Sequence, residues 1–187
     1  MPVTDNCKVL YGISQVCGDN LFPGGADKDF WVGYVSDLST RIPSTQTGVV
    51  NSFSFAAYGG LVKFQGNKGA HKFDAAINKG GGGNISYTHR AILKLLPLSV
   101  QDDVEIQKLT QAQDAFIVYQ NNNDQFFIIG ANKGLSVVPG ELQTTGQAIT
   151  DDVTTTVTLE GAEKTLPLRF FVTDVATTIL YLNNRVI

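Results

Sequence analysis

Between Ala115 and Phe171 the chain alternates apolar runs with short polar turns, and nothing within that stretch looks like a catalytic constellation. Such a pattern suits short antiparallel strands stacked in layers. Ala115 to Gln120 and Gln125 to Gly130 are rich in aromatic and β-branched residues, and Asn121-Asn122-Asn123-Asp124 separates them. Asn and Asp tolerate the left-handed backbone of a tight reversal, so the spacing predicts a hairpin. Further on, Val153, Thr155, Val157 and Leu159 fall on one face of a period-two strand and Thr154, Thr156 and Thr158 on the other. Gly161-Ala162-Glu163-Lys164 then reads as a turn back into Leu166, Leu168 and Phe170, a second hairpin.

Upstream the same grammar holds with more glycine. Residues 1–28 mix short apolar runs with Gly12, Gly18, Pro23, Gly24 and Gly25, which suits an N-terminal arm lying on another surface. Phe30 to Val35 is a strand with apolar residues on both faces, implying burial on both sides, or one side packed and the other at an interface. Asn51 to Tyr58 alternates Phe53, Phe55 and Ala57 with Ser52, Ser54 and Ala56, and is expected to be a strand kinked at Gly59-Gly60 before Leu61 to Phe64. Gln65 to Asn84 is a polar, glycine-rich excursion containing Gly80 to Gly83, expected to be an extended and mobile loop because glycines are costly to order. Ile85 to Leu96 is a long strand ended by Pro97, expected to pair with the strand before the excursion. Ser99 is an N-cap, Asp102 and Asp103 complement the helix dipole, and Val100, Val104, Leu109 and Ala112 trace the apolar stripe of the one expected helix. The expected fold is therefore mainly β, a β-sandwich or barrel covered on one side by one α-helix, in a single domain over residues 1–187.

Composition narrows the chemistry. Charged residues make up 17% of the chain, against roughly 25% in typical soluble domains, and the net charge is −3. Scattered Lys and Arg with an acidic balance argue against a nucleic-acid-binding face. Gly80 to Gly83 lead into a strand and lack the Gly-Lys-Ser/Thr of a phosphate loop. His71 and His89 are the only histidines, so a multi-histidine metal site is excluded within one subunit, and Cys7 and Cys17 lack the close spacing of ligand pairs. Ten residues apart, those two cysteines are compatible with a small disulfide loop, but in a sequence without export signals they read as reduced. Asp151-Asp152 with Glu160, and Asn121 to Asp124, fit turns and caps better than calcium loops. No Gly-x-Ser-x-Gly elbow is present, so no enzyme, metal or cofactor is expected. The start of the sequence lacks a signal-peptide pattern, and no run approaches the ~20 apolar residues that cross a bilayer, so the expected site of synthesis and residence is the cytoplasm, unless the protein leaves inside an assembly.

Several features in order carry a family resemblance: the aromatic strand ending at Gly130, the turn into Gly134-Leu135, the Thr145-Gly146 and Asp151-Asp152 turns, and the threonine strand closed by Glu160-Gly161 and Glu163. Cys17-Gly18-Asp19-Asn20-Leu21-Phe22-Pro23-Gly24-Gly25 followed by Phe30-Trp31-Val32-Gly33-Tyr34-Val35 adds a matching opening. This series resembles the major tail tube proteins of tailed bacteriophages, in particular those of Bacteroidetes hosts. The resemblance implies a virion structural subunit, made in the host cytoplasm and located in the tail, forming hexameric rings that stack into a hollow conduit for DNA. It implies neighbouring sheets joined into one inner barrel, with contacts between rings from the 65–84 loop, the arm before Phe30 and the tail after Asp174. On that loop the implied self-assembly contacts are Lys68, His71, Lys72, Phe73, Asn78, Gly80, Gly83 and Asn84. Other tail proteins are the implied partners, and genomic DNA would pass without specific binding. A tail terminator, baseplate ring or capsid decoration protein shares the same sandwich and composition. A carbohydrate-binding sandwich is the alternative of a different class, resting on Trp31 and tyrosines being exposed for stacking on sugars.

Overall fold

Phe30, Trp31 and Val32 are successive residues of one strand, and all three are buried. Because neighbouring side chains of a strand point to opposite faces, this strand lies inside a sheet covered on both sides. The computed structural model describes residues 25–40, 42, 49–66, 68–95, 99–140, 143–144 and 154–187. The expected arm up to residue 24, the cysteines, Pro97 and the 145–146 and 151–152 turns lie outside them.

Sheet 1 has the order β10-β6-β5-β1-β2, all antiparallel. Its strands are β1 (Ala26–Tyr34), β2 (Val62–Gln65), β5 (Ala115–Asn121), β6 (Phe126–Ile129) and β10 (Leu168–Phe170). The 115–130 hairpin forms as expected, with Tyr119 opposite Phe127 and Gln120 opposite Phe126. Its reversal is held by Asn121, whose Oδ1 accepts from the backbone N–H of Asn123 at 3.0 Å and of Gln125 at 2.9 Å. Asp124 takes the left-handed conformation there, at φ 58°. Sheet 2 has the order β3-β4-β9-β7 with β8 also paired to β9, from β3 (Lys72–Lys79), β4 (Ile85–Leu95), β7 (Ser136–Val137), β8 (Gln143–Thr144) and β9 (Thr154–Glu163).

Two cores follow from this layering. Between the sheets, Phe30, Val32, Ala115, Ile117 and Ile129 meet Ala91, Leu93, Leu95, Val157 and Leu159. Helix α1 (Val100–Leu109) adds Ile106 and Leu109 to that core. On the far face of sheet 1, Trp31, Phe116, Val118, Phe126, Ile128 and Phe170 are covered by Val50, Phe53 and a second helix, α2 (Val175–Asn183). Trp31 Nε1–H donates to Asn183 Oδ1 at 3.2 Å, and Tyr181 Oη both accepts from Phe53 N–H and donates to the Phe53 carbonyl, each at 2.7 Å. Over the described residues the architecture is thus a mainly β, two-sheet sandwich with two short α-helices.

Several expectations are corrected. Asn51 to Tyr58 is not a strand; only Phe55 makes a bridge, to Leu38. Its alternation reflects one-sided burial, since Phe53 sits in the core while Ser52 and Ser54 face solvent. The threonine strand keeps Thr155, Val157 and Leu159 inward but runs on through Gly161 to Glu163, and the chain then crosses to sheet 1, where β10 pairs with β6. No second hairpin forms. Strand β4 pairs with β3, from within the supposed loop, and with β9. On α1 the buried positions are Ile106 and Leu109, whereas Val100 is 81% exposed. The segment after Asp174 is helical and packed, not an extended tail. Strand β1 also begins at Ala26, so residues 26–28 belong to the sheet and not to an arm.

Candidate assembly surface

The supposed loop from Gln65 to Asn84 contains the first strand and the turn of a β-hairpin. Lys72 to Lys79 runs in register with Ile92 to Ile85, and the chain reverses over Gly80 to Asn84. The reversal is closed by Gly80 N–H to the Asn84 carbonyl at 2.8 Å and Gly83 N–H to the Gly80 carbonyl at 3.0 Å. Gly83 stands at φ +81°, which explains glycine at that position. The preceding link is tied to β1, with Gly66 N–H on the Lys28 carbonyl at 2.9 Å and Gly69 N–H on the Ala26 carbonyl at 3.0 Å.

Strand β3 is the outermost strand of sheet 2, and among the described residues nothing pairs with its outer side. The edges of sheet 1 differ. Val50 bridges Phe170 beside β10, and Val186 bridges Leu61 at the start of β2. An edge of eight residues with unpaired backbone groups is a template for another strand. It carries Lys72, Asp74 and Lys79, with Lys72 Nζ and Asp74 Oδ2 at 2.8 Å, the kind of charge that discourages indiscriminate pairing.

The hairpin also overhangs the sandwich. Phe73, Ala75 and Ile77 share the inward face of β3, as do Ala91, His89, Tyr87 and Ile85 on β4. Near the base this face is spent internally: the Phe73 ring stacks on Tyr119 of sheet 1 at 4.0 Å, and Tyr119 on Phe127 at 5.7 Å. Burial, aided by Asp74, pushes the Tyr119 hydroxyl up to about 12, so it stays protonated. Toward the tip the partner sheet ends, leaving Ile77 67% and Ile85 58% exposed on the same face.

Of the residues assigned to assembly from the sequence, Lys68, Lys72, Asn78, Gly80, Gly83 and Asn84 are exposed. Lys68 lies 3.9 Å from Asp27, and Asn78 donates to the Thr88 hydroxyl across the hairpin. His71 differs, being buried with its ring edge-on to Phe30 at 4.8 Å and its Nδ1 accepting from Lys94 N–H at 3.3 Å. Phe73 is half-buried. Neither side chain is on offer at the surface. Ile77 and Ile85 were missed as surface residues, although two isoleucines flanking a glycine turn on a shared strand face are a readable signal of an apolar tip.

The outer face of sheet 2 is polar, with Arg90 beside Glu160 at 3.9 Å and the threonines of β9. Trp31, whose exposure the sugar-binding alternative requires, is 1% exposed and hydrogen-bonded, so the stacking platform for a sugar does not exist there. Among the described residues no three His, Cys, Asp or Glu side chains converge as metal ligands, and no helix is long and apolar enough to cross a membrane. No protein-family model matches this chain, and comparison with curated proteins and with solved structures gives no match either.

Proposed function

We propose that this protein is a virion structural subunit that assembles with copies of itself into rings stacked as a phage tail tube. The observation carrying the reading is the β3–β4 hairpin, which joins an unpaired strand edge to an apolar tip that its own fold leaves uncovered. Edge pairing supplies main-chain hydrogen bonds between subunits, and burial of the tip on a neighbour supplies the hydrophobic term. A strand edge in that role joins sheets around a ring, while the overhanging tip reaches the next ring. The low charge content favours a surface that neighbours cover, and the mildly acidic balance lets DNA pass a lumen without adhering.

Electron microscopy of the concentrated protein tests this. Wild type is expected to form tubes, and Ile77→Asp with Ile85→Asp to remain folded, since both positions are more than half exposed, but to lose stacking. Shortening Gly80–Gly83 is expected to act likewise. Wild-type protein that stays monomeric at high concentration, or unaltered tubes from the double variant, overturns the proposal. Rings that never extend move the assignment to a terminator or baseplate ring.

A further inference from the structure

His89 lies on the inward face of β4 and is 2% exposed, yet both of its ring nitrogens are spent on backbone from two other segments. Gly130 N–H donates to Nδ1 at 3.2 Å, and Nε2 lies 2.8 Å from the Thr165 carbonyl. An amide donor on one side and a carbonyl on the other fix the tautomer: Nδ1 is bare and Nε2 carries the proton. The imidazole therefore rivets β4 to the turn that follows β6 and to the crossover between β9 and β10.

Glu163 grips the same turn from β9. It is 1% exposed, and its Oε1 accepts from the N–H groups of Asn132 and Lys133, both at 3.0 Å. Its Oε2 is buried with no hydrogen-bond partner, and so is Asn132 Nδ2. Since His89 pairs with Gly161 and Glu163 with Tyr87, the two side chains are diagonal neighbours on one face, about 7–8 Å apart at the backbone. That is within reach for long side chains. An unmet buried carboxylate oxygen is costly to leave so, which makes it a ready acceptor.

We propose that His89 and Glu163 form an acid-released latch. Protonation places a hydrogen on Nδ1 against the Gly130 N–H, and the ring turns to donate instead to Glu163 Oε2, freeing the 130–134 turn and the crossover at Thr165. No covalent chemistry is involved; one proton is taken from solvent. Other charges near His89 do not substitute for this pair. Ala75 stands opposite it on β3, Lys133 of the turn and Lys164 of the crossover are exposed, and Arg90 and Glu160 lie on the other face of sheet 2. Burial lowers the histidine's pKa in the closed state, the hydrogen bond to the Thr165 carbonyl and then the charge of Glu163 pulling the other way, so the latch holds at neutral pH.

An NMR pH titration of the full chain, from pH 7.5 down to pH 5, tests the latch through the His89 ring and backbone amide exchange. In wild type the Gly130 amide shift is expected to follow the His89 titration. Exchange in the 130–134 turn is expected to accelerate at least tenfold, while amides in the middle of β4 stay protected. In Glu163→Gln the His89 titration moves to lower pH and local release is lost. Glu163→Asp, which keeps the charge but shortens the reach, gives the same result and serves if the Gln variant does not fold. Turn protection unchanged through the His89 titration overturns the proposal. So does a His89 titration unmoved in both variants.

Discussion

Burial holds the imidazoles of both His71 and His89 below their ordinary pKa, and the sign of the effect on stability follows directly. An unfolded histidine binds its proton near pH 6.5, whereas each folded one resists it, so the unfolded state gains protons first as pH falls. The contribution is fully present above that value and is lost on acidification below it. The urea midpoint is therefore expected to be flat near neutrality and to decline from about pH 6.5 downward. His71→Asn, which retains an acceptor in place of Nδ1, is expected to make that decline shallower. The sequence showed that two histidines are too few for a metal site, but not that both are buried, because burial depends on Phe30 and Gly130 arriving from elsewhere in the chain. Whether Trp31 meets a core or an interface was open for the same reason: its Nε1–H partner is Asn183, on a helix that the sequence pattern did not reveal. Gly134 was legible as a turn residue, and the structure adds the reason. It sits at φ +80°, and a Cβ there would lie 2.3 Å from the Asp114 Cα.

Among the elements, α1 is one whose N-terminal cap was fully legible, although its apolar stripe was not. Asp102 N–H donates to Ser99 Oγ at 3.2 Å, and Ser99 N–H donates to Asp102 Oδ2 at 2.9 Å, a reciprocal capping box. Ser99→Ala is expected to cost about 1 kcal/mol, read as a lower denaturation midpoint with an unchanged slope. Helix α2 has its own cap, Asp174 accepting from Thr177 N–H at 2.7 Å, and that signal was present but overlooked. Its interior, Val-Ala-Thr-Thr-Ile-Leu-Tyr-Leu, is rich in β-branched residues that lower helix propensity, and packing on sheet 1 overrides the preference. Strand β3 was hidden by its neighbours in sequence. Lys-Phe-Asp-Ala-Ala-Ile-Asn-Lys sits between glycine-rich stretches, and only pairing along the whole of β3 with β4 makes it a strand. The first hairpin was legible because its turn chemistry is local; β9 to β10 was not, since choosing a sheet is a long-range decision.

For the whole molecule, the asymmetry between the sheets sets the energetics. Sheet 1 is buried on both faces, whereas sheet 2 turns a polar face outward. Removing residues 175–187 strips the cover from Trp31, Phe116 and Phe170, and the truncated chain is expected to bind a hydrophobic dye and to aggregate. Light scattering and dye fluorescence read the outcome; a truncated chain that remains soluble and dye-silent shows that α2 is dispensable.

The pairing order also says when the fold can close during synthesis. Strand β4 receives its second neighbour only from residues 154–163, and Val50 meets Phe170 only later still. A nascent chain stopped short of Thr154 has every residue of β4 but only one flank for it, with the inward leucines still wet. Such a chain completes its tertiary structure only once residues 154–170 have been made, and a chaperone that shields bare strands has its longest opportunity in that interval.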